Sequence, residues 1–266
     1  MEVQLQLPDF LLRAVAFFGV FALLAGAEAA WPRRGAPERL RRWPGNLGLA
    51  VVSALLLRLL APAAGVAAAL LAEERGWGLL NLAPVPGWIA FVTTLVLLDL
   101  AVWTQHLVTH RVGWLWRLHR VHHTDTAFDL TTGLRFHPLE IALSLLWKAA
   151  VIVALGAPVA AVLAFEILLN AAAMFVHADL RLPSALERTL RRVLVTPDMH
   201  RVHHSSIRSE TDSNFGTLLS AWDRLFHTYR AQPAEGHQAM RIGLDEFRAP
   251  AERRLDRLLT LPFRKA

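Results

Sequence analysis

The sequence predicts an all-α, polytopic membrane fold, and three observations carry that reading. Apolar side chains make up 54% of the 266 residues and mean hydropathy is +0.35, more than an ordinary soluble domain carries. Apolar stretches of bilayer-spanning length recur between Phe10 and Val176. Histidines cluster at helical spacing, at the ends of those stretches or just beyond them. Together these predict about 4–5 membrane helices or half-helices and a histidine-rich helical domain.

The first span runs from Phe10 to about Trp31. It lacks the basic leading region of a cleaved signal and further spans follow, so a retained helix is expected. The second runs from about Leu47 to Leu71 and the third from about Trp88 to His110. A longer apolar region, Leu139 to Val176, is interrupted by Gly156-Ala157-Pro158 and reads as two limbs joined by a turn. Its first limb starts after Pro138, because the residue before a proline, His137, is steered away from helical geometry. From Pro183 to Val195, Leu186, Leu190, Val193 and Leu194 alternate with Arg188, Arg191 and Arg192. That pattern suits a helix on the membrane surface or one packed on the histidine domain. The expected divisions are an N-terminal transmembrane region, 1–94, a histidine-rich domain, 95–230, and a C-terminal cytoplasmic tail, 231–266, in which no chemistry is legible.

Charges inside the spans need partners. Lys148 and Glu166 each lie nine residues from Ala157, so a hairpin would pair them. Arg58 and Asp99 fall at similar depth on the second and third spans. The net charge of +6 comes with a biased placement: Arg33, Arg34, Arg39, Arg41 and Arg42 follow the first span, whereas Glu73 and Glu74 follow the second. The positive-inside rule then sets the first loop, and with it every histidine cluster, on the cytoplasmic side. Basic character here means membrane orientation, not nucleic acid. The Ala-, Leu- and Arg-rich composition fits a bacterial inner membrane.

The pentapeptide His-Arg-Val-His-His occurs at His119–His123 and again at His200–His204. Each copy sets three imidazoles at i, i+3 and i+4 on one helical face. His106 and His110 add an i, i+4 pair, and His137 and His177 lie at the ends of the hairpin limbs. These ten, His106, His110, His119, His122, His123, His137, His177, His200, His203 and His204, suffice for two metal ions with four to five ligands each. Cysteine is absent, which excludes thiolate zinc, iron–sulfur and disulfide chemistry. Imidazole serves iron, zinc, copper and nickel alike, so ligand type leaves the metal open. A structural zinc site needs only four ligands; ten at a membrane boundary suit two metals with open positions, oxygen activation and a substrate arriving from the lipid. The competing class is a zinc-binding membrane protein, structural or transporting. Transport fits poorly, because the histidines gather beyond the helix ends and leave no path across the bilayer.

Metal-bound imidazoles need acceptors for their second ring nitrogen. Asp125, Asp129, Asp179, Asp198 and Asp212 lie close to the clusters in sequence. Asp99 and Asn170 stand seven residues before His106 and His177, on the same helical faces. His227 is a weaker candidate for such support, and His237 reads as structural.

The chain resembles the fatty acid hydroxylase superfamily, which includes the sterol desaturases, over about residues 95–230. The resemblance rests on Asp99 to His110, Leu-Trp-Arg-Leu-His-Arg-Val-His-His from Leu115 to His123, and Thr-Thr-Gly-Leu-Arg-Phe-His-Pro-Leu-Glu from Thr131 to Glu140. It continues through Met174 to Asp179, Thr196 to Ser205, Asn214-Phe215-Gly216 and the Trp-Asp-Arg-Leu-Phe run from Trp222. The resemblance implies a membrane non-haem enzyme with two iron ions, zinc being possible as isolated, that uses O₂ and two electrons to hydroxylate or desaturate a lipid. All ten histidines carry over as ligands. Two positions depart from the pattern: Leu107, where arginine is common, and His227, where glycine is common. With no fused haem-binding segment in the sequence, electrons are expected from a separate donor protein.

Overall fold

In the computed structural model, residues 6–35, 38–60 and 64–265 are described, with side chains from Phe10 onward and not at Leu60. The described elements are helical, with isolated bridges but no strand: α1 (Gln6–Ala30), α2 (Arg39–Leu60), α3 (Ala64–Arg75), α4 (Gly87–Arg111), α5 (Gly113–His123), α6 (Pro138–Leu155) and α7 (Val159–His177). Shorter helices follow: α8 (Ser184–Leu190), α9 (Pro197–His203), α10 (Arg208–Thr211), α11 (Ala221–Leu225), α12 (Gly236–Ala239) and α13 (Leu255–Thr260). Five segments are long and apolar enough to cross a membrane: Phe10–Ala30, Arg39–Asn81, Gly87–Arg111, Pro138–Leu155 and Val159–His177. Their outward faces carry exposed Phe18, Leu23, Leu55, Leu59, Val92 and Leu146, as lipid-facing helices should. The chain is a polytopic, all-α membrane protein.

One expected span lies partly outside the described residues. Leu47 to Leu71 falls on α2 and α3, which flank residues 61–63, outside the described residues. α3 packs on α6 and α7. Ala69 there joins Leu98, Ile152, Leu155, Val162 and Phe165 in the largest buried apolar cluster. The hairpin turn is as expected: Gly156 adopts φ 66° and ends α6. A Cβ on Gly78 would lie 2.0 Å from the Gly156 amide nitrogen, so two glycines let the α3–α4 connection press onto this turn.

Neither expected intramembrane ion pair forms as a direct contact. Glu166 pairs with Arg13 of α1, because α1 lies alongside α7 and reaches it before Lys148 does. Arg58 stacks over Phe10 at 5.0 Å, while Asp99 accepts hydrogen bonds from the Trp222 indole (2.8 Å) and the Leu219 amide (3.1 Å). The C-terminal ends of α1 and α7 lie together: Glu28 accepts from the amides of Leu130 (2.7 Å) and Asp179 (2.8 Å). α4, α5, α7 and α9 therefore deliver their histidines to one end of the bundle.

Residues 240–264 wrap that end. The Gly243 and Leu244 amides donate to the carbonyls of His204 and His123 (2.9 and 3.1 Å), and Arg120 donates to those of Leu261 and Arg264. Side chains of the tail pack here as well, Leu258 and Leu261 against Leu49 and Val121.

Candidate metal centre

Nine of the ten histidines converge into two buried groups. His106, His110, His119, His123 and His203 form one; His122, His177, His200 and His204 form the other, with ligand atoms within 4.8 Å of one another in each. The repeated pentapeptide explains the division. In each copy the i, i+4 pair stays together, His119 with His123 and His200 with His204. The histidine at i+3 points roughly 100° away from the i+4 residue and joins the opposite group. Thus α5 and α9 exchange one imidazole each, while α4 completes the group of five and α7 the group of four.

The distances fit metal ions. Nε2 of His119 lies 3.1 Å from Nε2 of His106 and 3.2 Å from that of His123. Nε2 of His177 lies 3.1 Å from those of His122, His200 and His204. An ion about 2.0–2.1 Å from each imidazole nitrogen sets neighbouring donors about 2.9–3.4 Å apart. Nε2 of His110 and His203 is buried with no hydrogen-bond partner, an arrangement that a cation would satisfy. His122, His123, His200, His203 and His204 are pushed well below the usual histidine range, first by burial and then by one another. They are therefore neutral, the form that binds metal.

The other ring nitrogens set the orientations. Nδ1–H of His106, His177 and His203 faces the carbonyls of Phe215 (2.7 Å), Ala173 (2.6 Å) and Ser213 (2.7 Å). Nδ1 of His119 meets Glu140 at 2.6 Å, and that of His110 meets Asp212 at 3.2 Å. In the group of four, His122 stacks on Phe136 at 4.4 Å and His204 lies edge-on to Phe128 at 5.1 Å. Gly133 makes room for His177: a Cβ there would come within 2.4 Å of the Ala173 oxygen and 3.1 Å of the imidazole.

His137 does not join either group. Its Nδ1 accepts from the Leu139 amide at 3.2 Å, capping α6, and its Nε2 meets the Leu259 carbonyl at 3.1 Å. An imidazole so engaged at both nitrogens has none free for a metal; Pro138 at the first helical position was the available signal of a cap.

Of the eight candidate supporting residues, Asp212 alone touches a converging imidazole; the rest bind elsewhere. Asp125 accepts from two Arg42 nitrogens at 2.6 and 2.7 Å, and Asp129 accepts from the third at 2.7 Å. Burial alone would raise the Asp125 carboxyl, but Arg42 overrides it and holds the group well below the carboxylate range. The first-loop arginines are thus partly scaffold: Arg42 is fully buried, Arg39 pairs with Glu28 and Arg33 with Asp198. Asp179 receives the amides of Arg34 and Gly35, Asp198 pairs with Arg33 and Arg201, and Asp99 holds Trp222. Asn170 donates to the Glu166 carbonyl. His227 is exposed at φ 58°, a left-handed position where glycine is the relaxed residue.

Two positioning residues escaped the sequence reading. Glu140 orients His119, and Asp223 receives the amides of Phe215 and Gly216 (2.9 Å each) and the Trp103 indole (3.0 Å). Asp223 thereby fixes the loop whose Phe215 carbonyl holds His106. Both stand inside the quoted runs, His-Pro-Leu-Glu and Trp-Asp-Arg-Leu-Phe, which were the signal.

Membrane helices that bring nine imidazoles into two groups define an integral membrane protein with a polyhistidine metal site. The chain belongs to the fatty acid hydroxylase family, whose profile matches residues 91–228. It is 27% identical to an alkylglycerol monooxygenase of Homo sapiens over 233 residues, 85% of this chain and 49% of the relative. It is 28% identical to the Xenopus tropicalis alkylglycerol monooxygenase over 226 residues, 84% of this chain and 48% of that one. The ornithine lipid hydroxylase OlsE of Rhizobium tropici is 27% identical over 143 residues, 53% of this chain and 42% of its own. The chain spans about half the length of the curated relatives it matches. No solved structure matches the chain.

Proposed function

We propose that the chain is a membrane-bound non-haem di-iron oxidoreductase that hydroxylates a C–H bond of a lipid. The observation that carries this reading is the convergence of nine imidazoles into groups of five and four. Four or five imidazole nitrogen donors leave open positions on an iron ion, which a closed structural zinc site lacks. Relatives named alkylglycerol monooxygenase and ornithine lipid hydroxylase support a lipid substrate and hydroxylation over desaturation. Two irons held there would supply activation of O₂ with two electrons and two protons, placing one oxygen atom in the lipid and the other in water.

The chain's residues supply the rest. His106, His110, His119, His123 and His203 would hold one ion; His122, His177, His200 and His204 would hold the other. Glu140, Asp212 and the carbonyls of Phe215, Ser213 and Ala173 fix the imidazole tautomers. Phe128, Phe136 and Phe215 pack on the rings and exclude bulk water. The histidines' positions at the ends of α4 and α7 support a site at a bilayer boundary open to a membrane lipid, and the charge bias supports the cytoplasmic side, where a separate electron donor would reach it.

The test is ¹⁸O₂ incubation of membranes containing the protein with alkylglycerol and ornithine lipids and a reductant. Lipid alcohol carrying one ¹⁸O, absent in the His119→Ala variant, supports hydroxylation. An unlabelled alkene points to desaturation, and no O₂-dependent lipid product overturns the reading.

A further inference from the structure

A second site lies apart from the histidine groups, in a cleft of about 260 Å³ where the chain leaves α1 and meets α8 and α9. Four guanidinium side chains line it, Arg33, Arg181, Arg188 and Arg191, against two carboxylates, Glu187 and Asp198. The carboxylates are already committed. Glu187 binds Arg191 at 2.9 Å and accepts from Thr196 at 2.6 Å, and Asp198 serves Arg33 at 3.1 Å as well as Arg201. Among the described residues, Arg181 and Arg188 form no side-chain ion pair and are exposed to the cleft mouth. Deeper in, His237 is only 4% exposed, and neither of its ring nitrogens has a hydrogen-bond partner. Its Nε2 stands 3.7 Å from Asp198, beyond hydrogen-bond reach. A buried unpartnered imidazole on the wall of a cleft carrying two surplus positive charges points to an anion with several acceptor oxygens.

The cleft's position identifies the anion's source. Arg33 lies three residues beyond the membrane segment Phe10–Ala30. Trp31, Leu186 and Val193 beside it are 66%, 45% and 60% exposed, the apolar belt of a surface at the headgroup level. We propose that this cleft binds the phosphate group of a membrane lipid headgroup, with Arg181, Arg188 and His237 as its contacts. The assignment does not depend on the oxidation reading, since none of these residues belongs to the histidine groups.

Native mass spectrometry of the metal-loaded, detergent-solubilised protein tests it. The probes are dioleoylphosphatidylglycerol, dioleoylglycerol with the same chains and no phosphate, and inorganic phosphate. The phospholipid is expected to bind at least about tenfold more tightly than the diacylglycerol, and Arg181→Gln/Arg188→Gln to remove about that factor. Both arginines are exposed and unpaired, so that variant keeps its fold, checked by unchanged metal content. His237→Phe should weaken phospholipid binding without affecting dioleoylglycerol. Tighter binding of the lipid than of inorganic phosphate assigns the headgroup; the reverse order assigns a soluble phosphate to the same site. Equal binding of phospholipid and diacylglycerol, or phospholipid binding unchanged in both variants, overturns the proposal.

Discussion

The two histidine groups are built from the same repeated pentapeptide, yet they are held differently. In the group of five, four rings have Nδ1 partners, and two of those partners are the carboxylates Glu140 and Asp212. In the group of four, only His177 has one, the Ala173 carbonyl; Nδ1 of His122, His200 and His204 is buried without a partner. Those rings are placed by packing, with Phe136 and Phe128 against His122 and His204. A carboxylate partner raises the basicity of an imidazole and fixes its tautomer, whereas a stacked ring fixes only its plane. The comparison teaches that identical spacing need not give equivalent sites. The group of five should hold its ion more tightly, and the group of four should be the exchangeable one.

The largest effect is expected from His119→Ala, which removes the nitrogen that touches both His106 and His123. Product formation should fall about a thousandfold or more, the loss of several kcal/mol of metal-supplied stabilisation, measured as product per metal-loaded protein. Glu140→Gln keeps every ligand and should weaken metal binding at the group of five by about 10–100-fold while sparing the group of four. Equal weakening of both groups in a chelator titration would show that they are not independently supported. Gly133→Ala acts on the other side, pressing a Cβ onto the Ala173 carbonyl that holds His177. It should cost about 1–3 kcal/mol of stability and loosen the group of four first, read by thermal unfolding and chelator sensitivity.

Acidification tests both groups together. The folded, metal-free protein holds His122, His123, His200, His203 and His204 neutral, their affinity for protons lowered by burial. The unfolded chain takes up protons at these residues near pH 6.5. Stability is then full above that value and falls as pH drops through it toward the depressed folded values. The metal-free protein should therefore melt at a lower temperature at pH 5.5 than at pH 7.5, and an unchanged or higher melting temperature would contradict the neutral assignment. The smallest effect is expected from Asp99→Asn, because Asp99 holds Trp222 and Leu219 and touches no imidazole.

The membrane fold and the gathering of the histidines were legible because both are periodic. Apolar runs have a length that only a bilayer requires, and His119–His123 and His200–His204 carry the spacing of a helical face. The division into two groups was not legible. It depends on how α5 and α9 cross, and so on which neighbour His122 and His203 meet. The supporting carboxylates failed for a related reason. Asp125, Asp129 and Asp198 are near the histidines in sequence, but Arg42 and Arg33, more than 80 residues away, reach them first. Glu140 reaches His119 only because Pro138 starts α6 at the right turn. His137 reads as a ligand from its place at the start of the hairpin and from the family motif, and its contacts as a helix cap emerge only once the start of α6 and the carbonyl of Leu259 are in place.

The most direct measurement is the iron content of anaerobically loaded protein for the wild type and for His203→Ala and His204→Ala. These residues are adjacent in sequence and fall in different groups. About two irons per chain in the wild type is expected, with about one in each variant and a different one surviving chelation. Two irons retained in both variants, or no more than one in the wild type under any loading, would contradict a pair of separately held ions.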